Sequence, residues 1–542
     1  MQDWNHDRAK ALGDIIFING HVLTGELNAP PASAVAIRLG KVVAVGGDDE
    51  ARAWAGHGVE VVDLNGRTIA PGMNDAHCHP FYTGAAKHNV DAGSPPNRNV
   101  ADIVARVAER ARETPAGIWV QARGYDQARL DDQRHPTRHD LDSVSSDNPV
   151  VVVRACGHIG VANSRALALA GIDRNTADPP GGTIDRDEHG EPTGVVREAA
   201  LQMIQEQIPA PTTEQIKEYL LLAGADYLSK GVTNWAEAGV HTPEHMRAYI
   251  ELQQEGRLPL RTYLMMMIDE TLDHLISLGI KTGFGDEWLR IGPAKFFIDG
   301  SIGGRTARMS QPYVGEESNL GLWMDDDLDA VKQRFIKAHK AGFQCCAHAI
   351  GDAAISLLLD AYEEALAEAP RADHRHRIEH CSIIDYDLVQ RIKHVGAVPI
   401  PGTTFLYAFK DAYLQNLGRD RIRYAYGMNT FYEHGIVAAA STDAPVVDIS
   451  AVLGLQTMMT RRTADGELVW PEESISLEEA VRAYTWNGAY ASFEEDIKGS
   501  FAPGKVGDAV VFETDLSKVD PGAVGGVQVD MTVADGRVVY SR

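Results

Sequence analysis

Cysteine is scarce in this chain. Its five cysteines (Cys78, Cys156, Cys345, Cys346 and Cys381) are odd in number and none stands in a C-x-x-C pair, so reduced thiols are expected rather than a disulfide framework. Positive charge is also in short supply: 51 lysines and arginines face 76 acidic residues, a formal net charge of −25. That balance argues against a nucleic-acid or anionic-membrane surface and points to a small-molecule partner, with a homodimer left open. No stretch reaches the roughly 18 consecutive apolar residues of a spanning helix, and residues 1–13 are polar and charged, so the expected location is the cytoplasm. Tandem repeats and low-complexity tracts are lacking too. What remains is ordinary globular material: 542 residues, 44% hydrophobic and 23% charged, enough for one large domain and a smaller one.

Both ends of the chain have the texture of short strands. Residues 14–20, 34–38, 41–45 and 59–64 are apolar runs broken by turns, with Asn-Gly at 19–20 and 65–66, and residues 507–512 and 531–540 repeat the pattern. Neither end has strands enough for a sandwich of its own. The expectation is one composite β-sandwich domain built from residues 1–72 and 497–542. Between them, residues 73–79, 232–238, 261–267, 294–299, 343–348, 376–381, 397–400 and 436–441 are strand-like runs that mostly alternate with helical periodicity. They predict an α/β fold, a (β/α)8 TIM-type barrel over residues 73–496. The gap after the first run is far too long for one crossover helix, so residues from about 85 to 230 form an insertion after barrel strand 1. It carries its own strand and helix signals at 118–122, 149–154 and 164–170. Leaving the barrel at its catalytic end, it is expected to cover the mouth and bring Tyr125 or His158 toward the pocket.

The residues that carry chemistry sit at the ends of these runs. His77 and His79 are two apart, so on a strand they face the same way and can share one metal ion, with Cys78 opposite. Lys295 lies in the fourth run, His348 ends the fifth, His380 ends the sixth in Arg-Ile-Glu-His, and Asp443 follows the eighth in Ser-Thr-Asp-Ala-Pro. Active sites of such barrels lie at the C-terminal ends of the strands, so six ligand-type groups converge on one mouth.

These motifs, in this order, resemble the amidohydrolase superfamily and within it the YtcJ-like branch, also called amidohydrolase 3, which includes N-substituted formamide deformylase-type proteins. The resemblance rests on the Pro-Gly-x-x-Asp-x-His-x-His lead-in ending at His79, the Lys295 segment continuing to Gly304-Arg305-Thr306, His348-Ala-Ile-Gly-Asp352, Arg377-Ile-Glu-His380, Thr442-Asp-Ala-Pro445 and Gly499-Ser-x-x-Pro-Gly-Lys-x-x-Asp508. It implies a hydrolase with one or two metals, commonly zinc. By resemblance His77 and His79 bind the more buried metal, a carboxylated Lys295 bridges, His348 and His380 bind the other, and Asp443 completes the site. Two departures fall outside the ligands: the seventh run reads Val398-Pro-Ile-Pro-Gly402 where relatives show a Gln-Pro type, and Thr442 replaces a serine.

The chemistry of the residues supports the same assignment. Imidazoles with a carboxylate suit Zn2+ in a site with an open position for water. A free ammonium at Lys295 would be repelled by the ions, whereas a carbamate supplies an anionic oxygen pair; a counter-ion or Schiff-base lysine is the alternative. Asp443 is read as both ligand and proton shuttle. Cys346 shares a face with His348 but is read as a core thiol. Tyr125 and His158 are pocket-lining residues or ordinary loop packing, Arg305 binds a substrate anion or a carboxylate of its own chain, and the acidic run at 325–329 is a solvated helix N-terminus. The expected activity is metal-dependent hydrolysis of an amide-like C–N bond, with N-acyl or N-formyl amines foremost. Ring deamination, ester cleavage and a regulatory, non-catalytic barrel that keeps its metal are the alternatives.

Overall fold

A computed structural model describes residues 12–542 apart from 156 and 269, so Cys156 and most of the polar stretch 1–13 lie outside the described residues. Seven parallel strands pair in chain order into one sheet: β1 Met73–Cys78, β2 Val232–Val240, β3 Arg261–Met267, β4 Leu289–Phe297, β5 Cys345–Ala349, β6 Arg377–His380 and β7 Val398–Ile400. Strands covered on both faces must be apolar nearly throughout, which is why these runs were legible. Neighbouring strands share buried clusters such as Ala76, Val398, Ile400 and Ala439, and Ala236, Ala238, Tyr263, Met265 and Cys346.

The expected eighth strand is absent as a strand. Residues 436–441 run between β7 and β1 but form no ladder there, only one isolated parallel bridge of Ser441 with Gly402: Ser441 N–H bonds Pro401 O (3.2 Å) and Thr403 N–H bonds Ser441 O (3.2 Å), while Ala439 N–H to Pro399 O (3.1 Å) and Ala76 N–H to Ala440 O (3.2 Å) stand singly. The reason lies in β7 and its continuation. Pro399 and Pro401 accept these bonds and have no N–H to return, so half the ladder cannot form. On the other flank the end of helix Leu477–Ala483 takes the donors, Ala440 N–H bonding Ala483 O (3.1 Å) and Asn74 N–H bonding Tyr484 O (2.5 Å). The barrel therefore closes through one isolated bridge and single hydrogen bonds.

Two further sheets are built from the chain ends. One holds Ile15–Ile18, Ala34–Arg38, Lys41–Gly46 and Glu60–Asp63; the other joins His21–Val22 and Thr68–Pro71 to Ala509–Phe512, Val529–Ala534 and Arg537–Ser541. They share a core that includes Phe17, Val35, Ile37, Ile69, Val511 and Val533. Asp508, which ends the Gly499–Asp508 motif, receives the buried Arg261 of β3 at 2.8 and 3.1 Å and so ties the foot of the barrel to these sheets.

By its contacts the chain forms two compact units, one running up to Phe81 and resuming at Ala223–Arg542, the other Tyr82–Leu222. The second contains a six-stranded sheet ordered Gly182–Arg186, Pro192–Glu198, Ile159–Ala162, Val150–Arg154, Val120–Tyr125 and Val90–Asp91. Among the described residues, no helix is long and apolar enough to cross a membrane.

Near the start of β6 three buried histidines have their tautomers set by their neighbours. His376 Nδ1 accepts the Cys345 N–H (3.0 Å), so its Nε2–H donates to His339 Nδ1 (3.0 Å), whose Nε2–H donates to Ala369 O (2.6 Å). His374 Nδ1 accepts the His376 N–H (3.0 Å) and its Nε2–H donates to Val395 O (2.8 Å). A proton on any of the three would face an existing donor. Burial, first of all, lowers the affinity of each for a proton. The folded-state pKa thus lies below the unfolded one, the unfolded chain binds more protons, and stability present above about pH 6.5 is lost as the pH falls, with a slope of up to about 1.4 kcal/mol per pH unit per histidine. The urea midpoint is expected to be flat from pH 7 to 8 and to fall below pH 6.5, less steeply in His376→Gln. An equal slope in that variant would show that these histidines take up protons without strain.

Candidate metal centre

His77 and His79 emerge together at the end of β1, their rings 5.6 Å apart. Backbone hydrogen bonds dock the segment after the closing strand onto them: Asp443 N–H to His77 O and His79 N–H to Ala444 O, both 2.8 Å. As a result Oδ1 of Asp443 stands 3.4 Å from Nε2 of His77 and 3.2 Å from Nε2 of His79, without an aligned hydrogen bond among the described residues. These three residues could hold one ion, their ligand atoms all within 4.8 Å of one another. His380 packs against His77 (4.8 Å between rings) and His348 against His380 (4.5 Å). Nδ1 of His380 lies 4.0 Å from Oδ2 of Asp443 and has no hydrogen bond among the described residues. His348 donates from Nε2 to Gly300 O at 2.8 Å, which leaves Nδ1 as its basic nitrogen.

Lys295 is wholly buried, and its Nζ makes no hydrogen bond among the described residues; the Phe297 ring lies 4.9 Å from it. An ammonium left so would be costly. Burial, ahead of the opposing charges of Glu379 and Asp443, pushes its pKa down. Burial and the Lys295 charge likewise bring His348 to about 4, and burial first of all holds His380 well below the ordinary range. For Asp443 burial works the other way but loses to the surrounding histidines, so the carboxyl stays well below its usual value. Imidazoles, a carboxylate and an orphaned lysine nitrogen, all turned into one buried space, are a donor set that fits a divalent ion.

Several residues that brace the site were not singled out from the sequence. His77 gives its Nδ1 proton to Glu379 (2.5 Å), and Glu379 is gripped by Arg377 through Nε (2.7 Å) and Nη2 (2.8 Å). This fixes the tautomer that turns Nε2 of His77 toward Asp443. Asp75 accepts the Thr442 N–H (2.9 Å) and hydroxyl (2.5 Å), so the threonine in the serine position locks the Asp443 loop to β1. Burial raises the Asp75 pKa to about 6. Asp299 takes the N–H groups of Arg308, Ile350 and Gly351 and joins the segments after β4 and β5; burial lifts its pKa to about 7. All three carboxylates lie in the motifs that carry the family resemblance, and for Asp75 and Glu379 a charge within a strand buried on both faces was the available signal. His380 and Asp443 also adopt left-handed backbone, φ 67° and 59°, which nothing in the sequence announced.

The other candidates have surroundings of their own. Tyr125 belongs to the second unit, fully buried in its core, with its hydroxyl 2.8 Å from His135 Nδ1. His158, in the same unit, is exposed and pairs with Glu198 at 3.0 Å. Arg305 is held by Glu316 and by Asn416 Oδ1 (2.9 Å), so the anion it binds is a carboxylate of its own chain. Cys346 is a core thiol, 3.9 Å from the sulfur of Met265. Asp327 caps helix Leu328–Lys340, as the acidic run implied.

Imidazoles and a carboxylate gathered at the C-terminal mouth of a parallel barrel are the arrangement of a metal-dependent hydrolase. The chain belongs to the amidohydrolase family, whose sequence profile (Amidohydro_3, "Amidohydrolase family") matches residues 60–540. It is 30% identical over 492 residues to "Putative amidohydrolase YtcJ" of Bacillus subtilis (strain 168), covering 89% of this chain and 91% of that protein. It is 29% identical over 545 residues to "N-substituted formamide deformylase" of Arthrobacter pascens, covering 98% of each. Among solved structures, an uncharacterized metal-dependent hydrolase from Pyrococcus furiosus superposes with a TM-score of 0.77 at 29% identity, over 94% of this chain and 100% of that one. The resemblance read from the motifs is borne out, and the protein is a hydrolase of the class acting on C–N bonds.

Proposed function

We propose that the protein hydrolyses the C–N bond of a small N-acyl or N-formyl amine, at a zinc centre held by His77, His79, His348, His380, Asp443 and a carboxylated Lys295. The barrel would be completed by a β-sandwich composed of both chain ends, with the second unit as the insertion after β1. The observation that carries the reading is the position of Asp443, a buried carboxylate 3.4 and 3.2 Å from the Nε2 atoms of two strand-end histidines. The formamide-deformylase relative supports the choice of substrate class. When bound, the ion polarises the scissile carbonyl and acidifies a water to a pKa of about 7.

This chain's residues do the rest. Asp443 takes the proton of the attacking water as the oxygen–carbon bond forms, then delivers it to the nitrogen as the C–N bond breaks, so acid and amine leave with the charges balanced. Lys295, whose burial favours the free amine, adds CO2 and releases a proton to become a carbamate, so an unpartnered amine becomes an anionic ligand. Glu379 holds the Nδ1 proton of His77 throughout.

The purified protein is expected to carry about one to two zinc ions per chain and to lose all turnover on chelation, with recovery on zinc addition. Growth with 13C-bicarbonate should add a carbamate resonance that Lys295→Ala removes. A panel of formamides, amides, lactams, esters and ring amidines, read separately for amine, acid and ammonia, tests the substrate class. Full activity in chelator would sink the metal reading. Ammonia without amine would replace the acyl-amine substrate by ring deamination.

A further inference from the structure

Glu379 has a counterpart on the other side of the site. Glu237, in the middle of β2, is wholly buried, an expensive place for a carboxylate. Its Oε2 accepts the Tyr249 hydroxyl (2.7 Å) and the Phe81 N–H (3.3 Å) and lies 3.3 Å from His245 Nε2. Both His245 and Tyr249 come from helix Pro243–Gln254, one turn apart, with stacked rings. The other oxygen, Oε1, makes no hydrogen bond among the described residues and points to Nδ1 of His79, 4.0 Å away.

The two strand-end histidines are thus backed by two different carboxylates. Glu379 behind His77 is matched by Arg377, whereas Glu237 has no lysine or arginine within ion-pair distance among the described residues. Its only ion-pair partners there are imidazoles. A buried anion kept in that state needs a function that uses the charge.

We propose that Glu237 is the positioning residue of His79: Oε1 accepts the Nδ1 proton, so Nε2 keeps its lone pair toward Asp443 and the metal, while Tyr249 and His245 hold the carboxylate in place. The inference rests on the reading of this mouth as a metal centre. Backing groups of this kind orient a ligand ring and raise its basicity, and their loss costs about 10- to 100-fold in metal affinity. Among the described residues no lysine or arginine stands beside Glu237 to offset its negative charge at His79.

The test compares zinc affinity of the stripped wild type, Glu237→Gln and Tyr249→Phe, by competition with a chromophoric chelator. Glu237→Gln should bind zinc about 10- to 100-fold more weakly with unchanged stoichiometry, and saturating zinc should restore most of kcat. Tyr249→Phe should show a smaller loss in the same direction. Should Glu237→Gln fail to fold, 15N shifts of the histidines in the wild-type protein decide the matter. The Nδ1–H tautomer at His79 supports the inference, and the Nε2–H tautomer overturns it. Wild-type zinc affinity in a folded Glu237→Gln would overturn it alone. A wild-type chain that binds no zinc would remove the metal reading and this inference with it.

Discussion

Asp443→Asn is expected to lower kcat by about 10²–10⁴-fold or more, the range of a lost general acid–base group, while leaving the fold intact. The substitution is close to isosteric, and asparagine tolerates the left-handed conformation (φ 59°) that Asp443 holds. Its backbone N–H would still bond His77 O. The amide oxygen could still stand beside the two Nε2 atoms as a ligand. What it cannot do is accept a proton from water at neutral pH and return it to a leaving nitrogen. KM should therefore move little while kcat collapses, and zinc content has to be measured on the same sample so that a lost ion is not mistaken for a lost shuttle. A variant that keeps its metal and turns over at the wild-type rate would reduce Asp443 to a structural ligand.

The barrel was legible because parallel strands covered on both faces leave long apolar runs, and β3 matches its predicted run, residues 261–267, at both ends. The failure at residues 436–441 has a cause also written in the chain: Pro399 and Pro401 stand on the edge that an eighth strand would have to use. Apolar character tells that a segment is buried, but a ladder needs donors on both sides. For the site, spacing revealed His77 and His79, because a strand repeats every two residues. Its place after the eighth run put Asp443 at the same mouth, but nothing local revealed how closely it would approach them. That meeting depends on two backbone hydrogen bonds between segments far apart in the chain and on left-handed turns at non-glycine residues.

The missed bracing residues show what strand periodicity can still extract from the same motifs. Arg377 and Glu379 are two apart on β6, hence on one face, and Asp75, His77 and His79 share a face of β1 in the same way. Charges embedded in strands this deep must find partners, and the nearest unsatisfied polar groups are those of the site itself. Tyr125 was open to two readings, pocket lining or loop packing, and its ring is part of the second unit's own core. Aromatic character alone does not separate the two roles.

Arg377→Met is expected to destabilise the barrel by about 3–5 kcal/mol, the cost of removing one partner of a buried ion pair and stranding the other. Both side chains are buried, and Arg377 makes two bonds to Glu379 and one to Ala76 O at 2.6 Å, so it braces β6 against β1. Burial pushes the Glu379 carboxyl up, but Arg377, His77 and Lys295 hold it well below the usual range. With a folded pKa below the unfolded value of about 4.3, the pair's stabilisation is present at neutral pH and is lost only as the pH falls below that value. Removing the guanidinium lets burial dominate, and the carboxylate must then either take a proton or draw one onto His77, where it would compete with metal. Stability at pH 7 should fall, and zinc affinity should become more pH-dependent. Trp235, buried in β2 with its Nε1–H on Thr262 Oγ1 (2.7 Å), offers a fluorescence signal for barrel unfolding in denaturant. The double variant Arg377→Met/Glu379→Gln removes both charges and should recover much of the loss, because no charge is left stranded. A single variant within about 1 kcal/mol of wild type, or a double variant no better than the single, would mean that this pair does not brace the metal centre.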